Sequence, residues 1–300
     1  MKNTLETLIF FGNERLVSGL KTNDTPILTA LISAGYKIAA IVAHHTDGKS
    51  RSNRSLEVAQ VAKLNNIPLF LPNNPLEIIE QLKNLHADAA ILVAYGQLIP
   101  QDLLDIFPCG IINVHPSLLP LNRGSTPIES SIYQGDLETG ISIMRLSSGM
   151  DEGPVFAQLS IPIAATETKF DLYNIIVTKS AQLLLDTLPA ILDGSLRPVP
   201  QDEAKATYTK LLTKADSMLD IRLPATTCER TVRAHLGFPK TKSIILGYEI
   251  TITKSHVSTE ARTVLDIRCG DGKFLSIDEL IAPSGKTISS SAFLNGYAAA

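Results

Sequence analysis

The chain has 300 residues, 44% of them hydrophobic, and a formal net charge of −3 at pH 7. This length and apolar content can bury a substantial core, and the length favours about two domains. A charge this close to zero, with 19% charged residues, gives no bulk electrostatic sign of a nucleic-acid-binding protein.

The first half of the chain alternates short apolar runs with longer amphipathic ones. The apolar runs, which are typical of buried strands, are Thr7–Gly12, Tyr36–Ala43, Ala89–Gly96 and Gly110–His115. The amphipathic runs, whose apolar residues recur at helical spacing, are Thr25–Ala34, Ser55–Asn66 and Pro75–Leu85. Strands that are apolar on both faces and separated by helices predict a doubly wound, mostly parallel α/β sheet.

Two further strands and a long helix are predicted after this alternating region. Ile141–Leu146 and Val155–Ile163 follow a turn-rich gap, and we expect a hairpin that extends the sheet. A helical run, Phe170–Leu192, then closes the unit, with Thr168 and Asp171 as its predicted cap residues.

A polar, proline-bearing stretch then predicts a linker and a change of architecture. The expected division is a first domain over 1–192, a linker over 193–207 and a second domain over 208–300. In the second domain one helix is predicted over Thr226–His235. The predicted strands are Ile244–Lys254, Thr263–Arg268 and Lys273–Ile281. This pattern predicts a small antiparallel barrel.

The cysteines and the apolar runs indicate where the protein resides. Cys109, Cys228 and Cys269 are far apart and form neither a disulfide framework nor a paired metal motif, which suits a reducing compartment. Leu8–Phe11 is too short for a signal peptide core of ~7–15 residues. The apolar run Ala89–Tyr95 is far too short to span a membrane. We therefore expect a cytoplasmic protein with no membrane partner, and a monomer, since nothing in the sequence demands a dimer.

Polar residues at the ends of two predicted strands point to a reactive site. Asn113 and His115 are two positions apart, so they project to the same face of a strand, at the edge where open parallel sheets bind ligands. An amide donor beside an imidazole suits an oxyanion that forms when a carbonyl is attacked. Asp151, between glycines in SSGMDEGPV, is the best candidate for the carboxylate that orients the imidazole.

The absence of other motifs narrows the chemistry. The sequence has no GxSxG nucleophile motif and no HExxH or clustered His pair for a metal. An Asn, His and Asp set without a protein nucleophile favours direct acyl-type transfer, in which the amine of one substrate attacks the carbonyl of the other. Each residue taken alone also fits a structural role, as a strand-end Asn, a satisfied loop His or a turn Asp.

The segment Ile112–Ile163, with its N-x-H-x-S-L-L-P core and later D-x-G loop, resembles the formyltransferases that use 10-formyltetrahydrofolate. RGSTPI (Arg123–Ile128), GDLETGISIM (Gly135–Met144) and ATYTKLLTKADSMLDI (Ala206–Ile221) are similar to the methionyl-tRNA formyltransferase branch. The resemblance covers most of the chain and is clearest from Ala89 to Ile221.

The resemblance implies a substrate pair and a set of roles. The formyl group on N10 of 10-formyltetrahydrofolate would pass to the amino group of methionine on initiator tRNA, with no metal required. Asn113 and His115 would stabilise the oxyanion, and Asp151 would orient His115 and assist proton transfer. The residues implied to shape the folate pocket are Tyr95, Gly96 and Gln97 with the turn residues Ser117, Leu118, Leu119 and Pro120.

The resemblance also implies how tRNA is held. A basic loop carrying Lys49, Arg51 and Arg54 would contact the tRNA acceptor end. Arg123 would fix its own loop or meet an acidic group of the ligand, and it is included among the expected tRNA-binding residues. The second domain would be an open barrel similar to an OB-fold that binds tRNA.

The sequence departs from the family pattern in three places. The loop Gly12–Pro26 is longer than usual, and RAHLGFPK (Arg233–Lys240) replaces a Trp-containing stretch in a shortened C-terminal part. The basic loop lacks prolines and carries Asp47.

Three alternative functions stay open at this point. The first is a formyltransferase acting on a small amine, such as a nucleotide-linked amino sugar. A glycinamide ribonucleotide formyltransferase fits less well, because it lacks the R-G-x-x-P pattern and is a single shorter domain. The third is a folate- or RNA-binding module without turnover.

Overall fold

The computed structural model describes residues 6–20, 24–44 and 56–297. The strands of the first part of the chain are β1 Thr7–Gly12, β2 Lys37–Val42, β3 Leu69–Phe70, β4 Ala89–Val93, β5 Ile111–His115, β6 Glu138–Arg145 and β7 Val155–Pro162. The helices are α1 Pro26–Ser33, α2 Glu57–Leu64, α3 Ile79–Lys83, α4 Gln101–Leu104, α5 Pro127–Gln134 and α6 Lys169–Leu192, with a 3₁₀ helix, Pro75–Ile78, leading into α3.

These strands form one seven-stranded sheet in the order β3-β2-β1-β4-β5-β6-β7. The five strands β1 to β5 are parallel, and β6 and β7 are antiparallel to their neighbours. The strand order reverses between β1 and β4, and ligands of such sheets bind at the carboxyl ends of the strands near this switch. The predicted doubly wound sheet is therefore confirmed, and β6 and β7 extend it as an antiparallel pair.

Strand β1 shows why the sheet is covered on both faces. Leu8 and Phe10 belong to one apolar cluster, and Ile9 and Phe11 belong to the cluster on the opposite face. Alternate residues of a strand project to opposite faces, so a strand that is apolar throughout needs a layer of helices on each side. This pattern fixes β1 in the centre of the sheet.

Helix α6 begins at a capping box, as the sequence predicts. The Thr168 hydroxyl accepts the backbone N–H of Asp171 at 3.3 Å, and the Asp171 carboxylate accepts the backbone N–H of Thr168 at 3.0 Å. Among the described residues, α6 is the one helix long and apolar enough to cross a membrane. It buries Leu172, Ile176 and Leu184 in the core of the first sheet, as the central helix of a folded domain does.

The second part of the chain forms a separate, smaller sheet. Its strands are β8 Thr241–Ile245, β9 Tyr248–Ser258, β10 Asp266–Arg268, β11 Phe274–Ile281 and β12 Thr287–Ser289, and its helices are α7 Ala225–Ala234 and α8 Ser290–Tyr297. Short 3₁₀ helices, Glu203–Lys205 and Lys214–Ser217, precede them. The order is β10-β11-β9-β8, with β12 beside β11, and every pair is antiparallel. The predicted antiparallel class is thus confirmed, as a curled, open half-barrel.

One predicted strand is wrong. Ile244–Lys254 is not continuous, because a turn at Leu246 and Gly247 divides it between β8 and β9. Both turn residues have positive φ, 53° and 79°, as two-residue hairpin turns require. A leucine at the first turn position hides this signal in the sequence. Helices α4, α5 and α8 and the short strands β3 and β12 were not predicted.

Candidate active site

The carboxyl end of β5 carries the two side chains on which the site is built. Asn113 and His115 are separated by one residue of an extended strand, so both point to the same side. Their exposed fractions are only 5% and 4%, so they are buried polar groups that need partners. These partners come from the loop after β6 and from the turn after β5.

Asp151, in the loop after β6, contacts both Asn113 and His115. Its Oδ1 accepts the Asn113 amide at 3.3 Å, and its Oδ2 accepts the backbone N–H of Gly124 at 2.9 Å. The same Oδ2 lies 3.6 Å from His115 Nδ1. The structure therefore brings the three predicted catalytic residues together around one carboxylate.

The hydrogen bonds of His115 define its tautomer. Nε2 lies 3.1 Å from the carbonyl oxygen of Asn122, which can only accept, so Nε2 carries a proton. Nδ1 faces Asp151 and is a lone pair in the neutral ring or an N–H in the cation. Both ring nitrogens of His115 therefore face protein groups, Asn122 on one side and Asp151 on the other.

The Asp151 loop is tightly constrained. Asp151 has φ +52°, a left-handed conformation that costs a non-glycine residue on the order of 1–3 kcal/mol and persists only where its surroundings enforce it. A Cβ on Gly153 would lie 1.9 Å from the carbonyl oxygen of Arg145, so only glycine fits there. The glycine on this side of Asp151 therefore allows the chain to pass close to β6 and aim the carboxylate at β5.

The turn after β5 is fixed by side chains of β6 and β7. The Ser142 hydroxyl donates to the carbonyl of Ser117 at 2.7 Å and accepts the backbone N–H of Leu119 at 3.0 Å. Gln158 donates to the carbonyl of Leu119 at 2.8 Å. These bonds hold the turn that carries Ser117, Leu118, Leu119 and Pro120.

A cleft of about 390 Å³ opens beside the three residues. Besides Asn113, His115 and Asp151, its wall includes Arg15, Leu16, Leu92, Ala94, Gly96, Gln97, Leu98, Ile99, Gly124, Ser125, Leu146, Ser147 and Met150. The wall is mainly apolar, with a few polar groups near β4 and β5. A volume in the range 300–1,000 Å³ is ordinary for a small-molecule site.

The predicted folate residues divide into two groups. Gly96 and Gln97 line the cleft, but Tyr95 and the four turn residues from Ser117 to Pro120 do not. The Tyr95 ring instead packs edge-to-face on Phe11, with ring centroids 5.4 Å apart, and burial raises the pKa of Tyr95 to about 12. The structure thus places Tyr95 in the core, and the assignment of Tyr95 and of the turn to the folate pocket stays a prediction.

The loop after β1 supplies cleft residues that the sequence reasoning missed. Arg15 and Leu16 line the cleft, and Arg15 is ion-paired with Glu57 of α2. Glu14 is buried beside them, and its carboxyl group accepts the first N–H groups of α1, from Ile27 at 2.8 Å and Leu28 at 2.7 Å. Burial raises the pKa of Glu14 to about 7. The position of this loop, directly after a central parallel strand, was the signal that could have identified it.

Arg123 lies in the interior and does not line the cleft. Its side chain has no exposed surface, and its guanidinium donates to Glu203, Gln201 and Tyr208. A guanidinium whose donors are all occupied has none left for a phosphate. This placement favours the loop-fixing role of Arg123 over the expected contact with tRNA. The other expected tRNA-binding residues, Lys49, Arg51 and Arg54, lie outside the described residues.

Metal ligands do not converge in the part of the chain that the structure describes. No group of three His, Cys, Asp or Glu side chains there has a geometry that could hold an ion.

The sequence of this chain is similar to formyltransferases along most of its length. Residues 15–188 match the formyl transferase family, and residues 211–298 match the formyl transferase C-terminal domain. The predicted linker lies between the two matched ranges, and the exact domain bounds stay a prediction. A methionyl-tRNA formyltransferase of Pelobacter propionicus is 32% identical over 90% of this chain and 89% of its own length. One from Roseiflexus sp. is 35% identical over 82% of this chain and 75% of its own.

The chain belongs to the formyltransferase family, in its methionyl-tRNA formyltransferase branch. Two solved structures share the fold of this formyltransferase at low sequence identity. An N-formyltransferase from Helicobacter canadensis, in complex with folinic acid and dTDP-3-aminofucose, has a TM-score of 0.69 at 17% identity and covers 91% of this chain and 99% of its own. HypX from Aquifex aeolicus, in complex with tetrahydrofolic acid, has a TM-score of 0.68 at 16% identity over 98% of this chain, which spans about half of HypX.

Proposed function

We propose that this formyltransferase moves the formyl group of 10-formyltetrahydrofolate to the amino group of methionyl initiator tRNA, the reaction that prepares the initiator for translation. The observation that carries the proposal is the convergence of Asn113, His115 and Asp151 at the mouth of the cleft. No nucleophilic Ser or Cys belongs to this set, so the substrate amine itself is the nucleophile.

The residues have complementary roles in this transfer. The amine nitrogen attacks the formyl carbon, a C–N bond forms and the carbonyl oxygen becomes an oxyanion. One N–H of the Asn113 amide is directed at Asp151, which leaves the second for the oxyanion. Asp151 is placed to accept the proton that the amine loses. As the bond from carbon to N10 breaks, that proton passes to N10, so protons and charge balance.

The cleft offers a suitable environment for the pterin ring of the folate co-substrate. Leu92, Leu98 and Ile99 supply an apolar wall. Gln97 Oε1 is buried at this wall without a hydrogen-bond partner, while its Nε2 lies 2.8 Å from His44 Nδ1. An unpartnered acceptor in an apolar cleft fits a ligand that brings an N–H group, as a pterin does.

The partners and the cellular location follow from the reaction. We infer that the loop with Lys49, Arg51 and Arg54 contacts the acceptor end of the tRNA through phosphates, and that the second domain adds to this surface. Because translation initiates in the cytoplasm, we place the enzyme there. We also propose that it acts as a monomer and without a metal.

The test compares two amines in one assay. The purified protein is incubated with 10-formyltetrahydrofolate and either methionyl initiator tRNA or dTDP-3-aminofucose, and each formylated product is identified by mass spectrometry. The proposal requires formylmethionyl-tRNA and no appreciable sugar product. Turnover of the amino sugar alone would move the acceptor to the small-amine class while keeping the chemistry.

Variants in the same assay test the site. Asn113→Ala is expected to lower kcat by about 10²–10³-fold, the usual cost of removing one oxyanion donor. Asn65→Ala, which removes an exposed asparagine at the end of α2, is the matched control and should keep the wild-type rate.

A further inference from the structure

The segment between the two sheets is bonded along its length to the loops that hold the catalytic residues. Val199 and Val155 exchange two backbone hydrogen bonds, each of 2.8 Å, just after the Asp151 loop. Further along, the backbone N–H of Arg123 donates to Thr207 at 2.9 Å, and the N–H of Thr209 donates to Arg123 at 2.7 Å. The segment is therefore bonded to the loops around the site and is not a free tether.

Gln201 is the residue through which this segment hydrogen-bonds to the Asp151 loop. Its Nε2 donates to the carbonyl oxygens of Asp151 and Gly153, both at 2.7 Å. Its Oε1 accepts from Arg123 Nε at 3.1 Å and from Arg123 Nη2 at 2.8 Å. The two N–H groups of the Gln201 amide each donate to a carbonyl, and its oxygen accepts from the guanidinium. The orientation of the amide is therefore fixed, and none of its N–H groups is left without a partner.

Arg123 continues the connection to the other side of the site. It stands between Asn122, whose carbonyl faces His115, and Gly124, whose N–H holds the Asp151 carboxylate. All of its guanidinium nitrogens are engaged by the segment, through Gln201, Glu203 and Tyr208. One glutamine thus joins the loop that bears Asp151 to the loop that orients both Asp151 and His115.

The contact with Asp151 has a specific physical role. Asp151 has a left-handed backbone, and such a conformation persists only where the surroundings determine it fully. The Gln201 amide fixes the peptide carbonyl of Asp151, while Asn113 and Gly124 fix its carboxylate. Without the amide, the loop is free to turn towards a commoner backbone conformation, which would withdraw the carboxylate from His115.

We infer that Gln201 is a positioning residue that sets the rate of formyl transfer by holding Asp151, with Arg123 as its anchor. The inference rests on the proposed role of Asp151 in the transfer. It assigns part of the catalytic apparatus to the segment that connects the two domains, outside the motifs that mark the active site.

Two substitutions separate the two halves of the Gln201 amide. Gln201→Glu keeps an oxygen for Arg123 but loses the donor, and places a carboxylate against two carbonyl oxygens. Gln201→Met removes both. If the grip on Asp151 matters, both variants should lower kcat by about 10- to 100-fold, since a shift of 1 Å in a reacting group can cost 10²-fold. KM for methionyl-tRNA should change less than about twofold, because substrate contacts remain.

Gln182→Met is the matched control. Gln182 is an exposed glutamine on α6 that hydrogen-bonds Asp186. It should retain wild-type kcat and KM. Wild-type kcat in Gln201→Glu, or a raised KM with unchanged kcat, would overturn the inference.

A double-mutant cycle with Asp151→Asn distinguishes positioning from general weakening of the fold. Rates are measured in single turnover at a temperature well below the unfolding midpoint of every variant. If Gln201 acts through Asp151, Gln201→Met should cost less than about threefold in the Asp151→Asn background, since residues that act as a unit are not additive. An undiminished effect there would overturn the inference.

The same data separate this inference from the proposed function. If the wild type forms no formylmethionyl-tRNA, the proposed function and the inference fail together. If the wild type forms it but Asp151→Asn has the wild-type rate, the proposed role of Asp151 and the inference fail while the proposed function stands. If Asp151→Asn is impaired while Gln201→Met is not, the inference alone fails.

Discussion

Replacing Lys169 by methionine should destabilise the protein, because it breaks an ion pair that is buried from solvent. Lys169 has no exposed side-chain surface and Glu129 has 3%. The ammonium lies 3.3 Å from Glu129 Oε1 and donates to the carbonyl of Phe238 at 2.8 Å. Burial raises the pKa of Glu129 and lowers that of Lys169, while each partner opposes the shift of the other. The pair therefore joins α5 and α6 of the first domain to the chain just after α7.

The expected magnitude follows from the charge that remains. Removing one member of a buried pair leaves the other uncompensated and typically costs about 3–5 kcal/mol. At roughly 2–4 °C per kcal/mol for chains somewhat shorter than this one, Lys169→Met should lower Tm by about 6–20 °C. Lys169→Met combined with Glu129→Leu should recover at least half of the loss, because no buried charge is left without a partner.

The assay is urea unfolding at pH 7 followed by far-UV circular dichroism, with a thermal scan of each variant. Lys179→Met, an exposed lysine on the same helix, is the control and should change stability by less than about 0.5 kcal/mol. The reasoning is refuted if Lys169→Met costs less than about 1 kcal/mol, or if the two single effects simply add in the double variant.

Three further predictions concern other buried groups. Burial lowers the pKa of His235 from 6.5 to about 4, so its contribution to stability is present above pH 6.5 and is lost as pH falls through 4. His235→Leu should remove up to about 3 kcal/mol of that pH dependence, measured by urea unfolding at pH 7.5 and 4.5, and an unchanged slope would contradict the assignment. Cys228 and Cys269 are buried, and burial raises the pKa of both thiols, to about 12 for Cys228. A thiol reagent should therefore label at most Cys109 quickly in the native protein. In denaturant it should label all three cysteines. Rapid native labelling of more than one thiol would count against this packing. Gly140→Ala should destabilise the fold by about 1–3 kcal/mol or more, because the new Cβ would lie 2.4 Å from a carbonyl oxygen of β7; wild-type stability would show that the strands separate easily.

The central sheet could be predicted because its strands are apolar on both faces. The predicted run Thr7–Gly12 coincides with β1, and Gly110–His115 exceeds β5 by one residue. Helix α5 was missed although its signals are present, with Pro127 in its first turn and Gly135 in the left-handed conformation after its last residue. The turn at Leu246 has no such signal, because leucine rarely has positive φ.

Some residues of the candidate site could be predicted from the sequence, and others could not. Asn113 and His115 could be placed together because strand periodicity fixes their common face, and the structure brings Asp151 to them. The role of Tyr95 in the folate pocket stays a prediction; its ring packs on Phe11, and Ala94 just before it has φ +51°, which ends the regular extension of β4. Contacts of Gln201 could not be foreseen, since they join residues 50 and 78 positions apart along the chain and no periodicity encodes them.

The most direct test of the account is the single-turnover rate of formyl transfer to methionyl initiator tRNA at saturating 10-formyltetrahydrofolate, for the wild type and for Asn113→Ala. The account predicts formylmethionyl-tRNA from the wild type and a rate lower by about 10²–10³-fold in the variant, with unchanged tRNA binding. Equal rates for the two proteins would contradict the claim that the end of β5 stabilises the oxyanion.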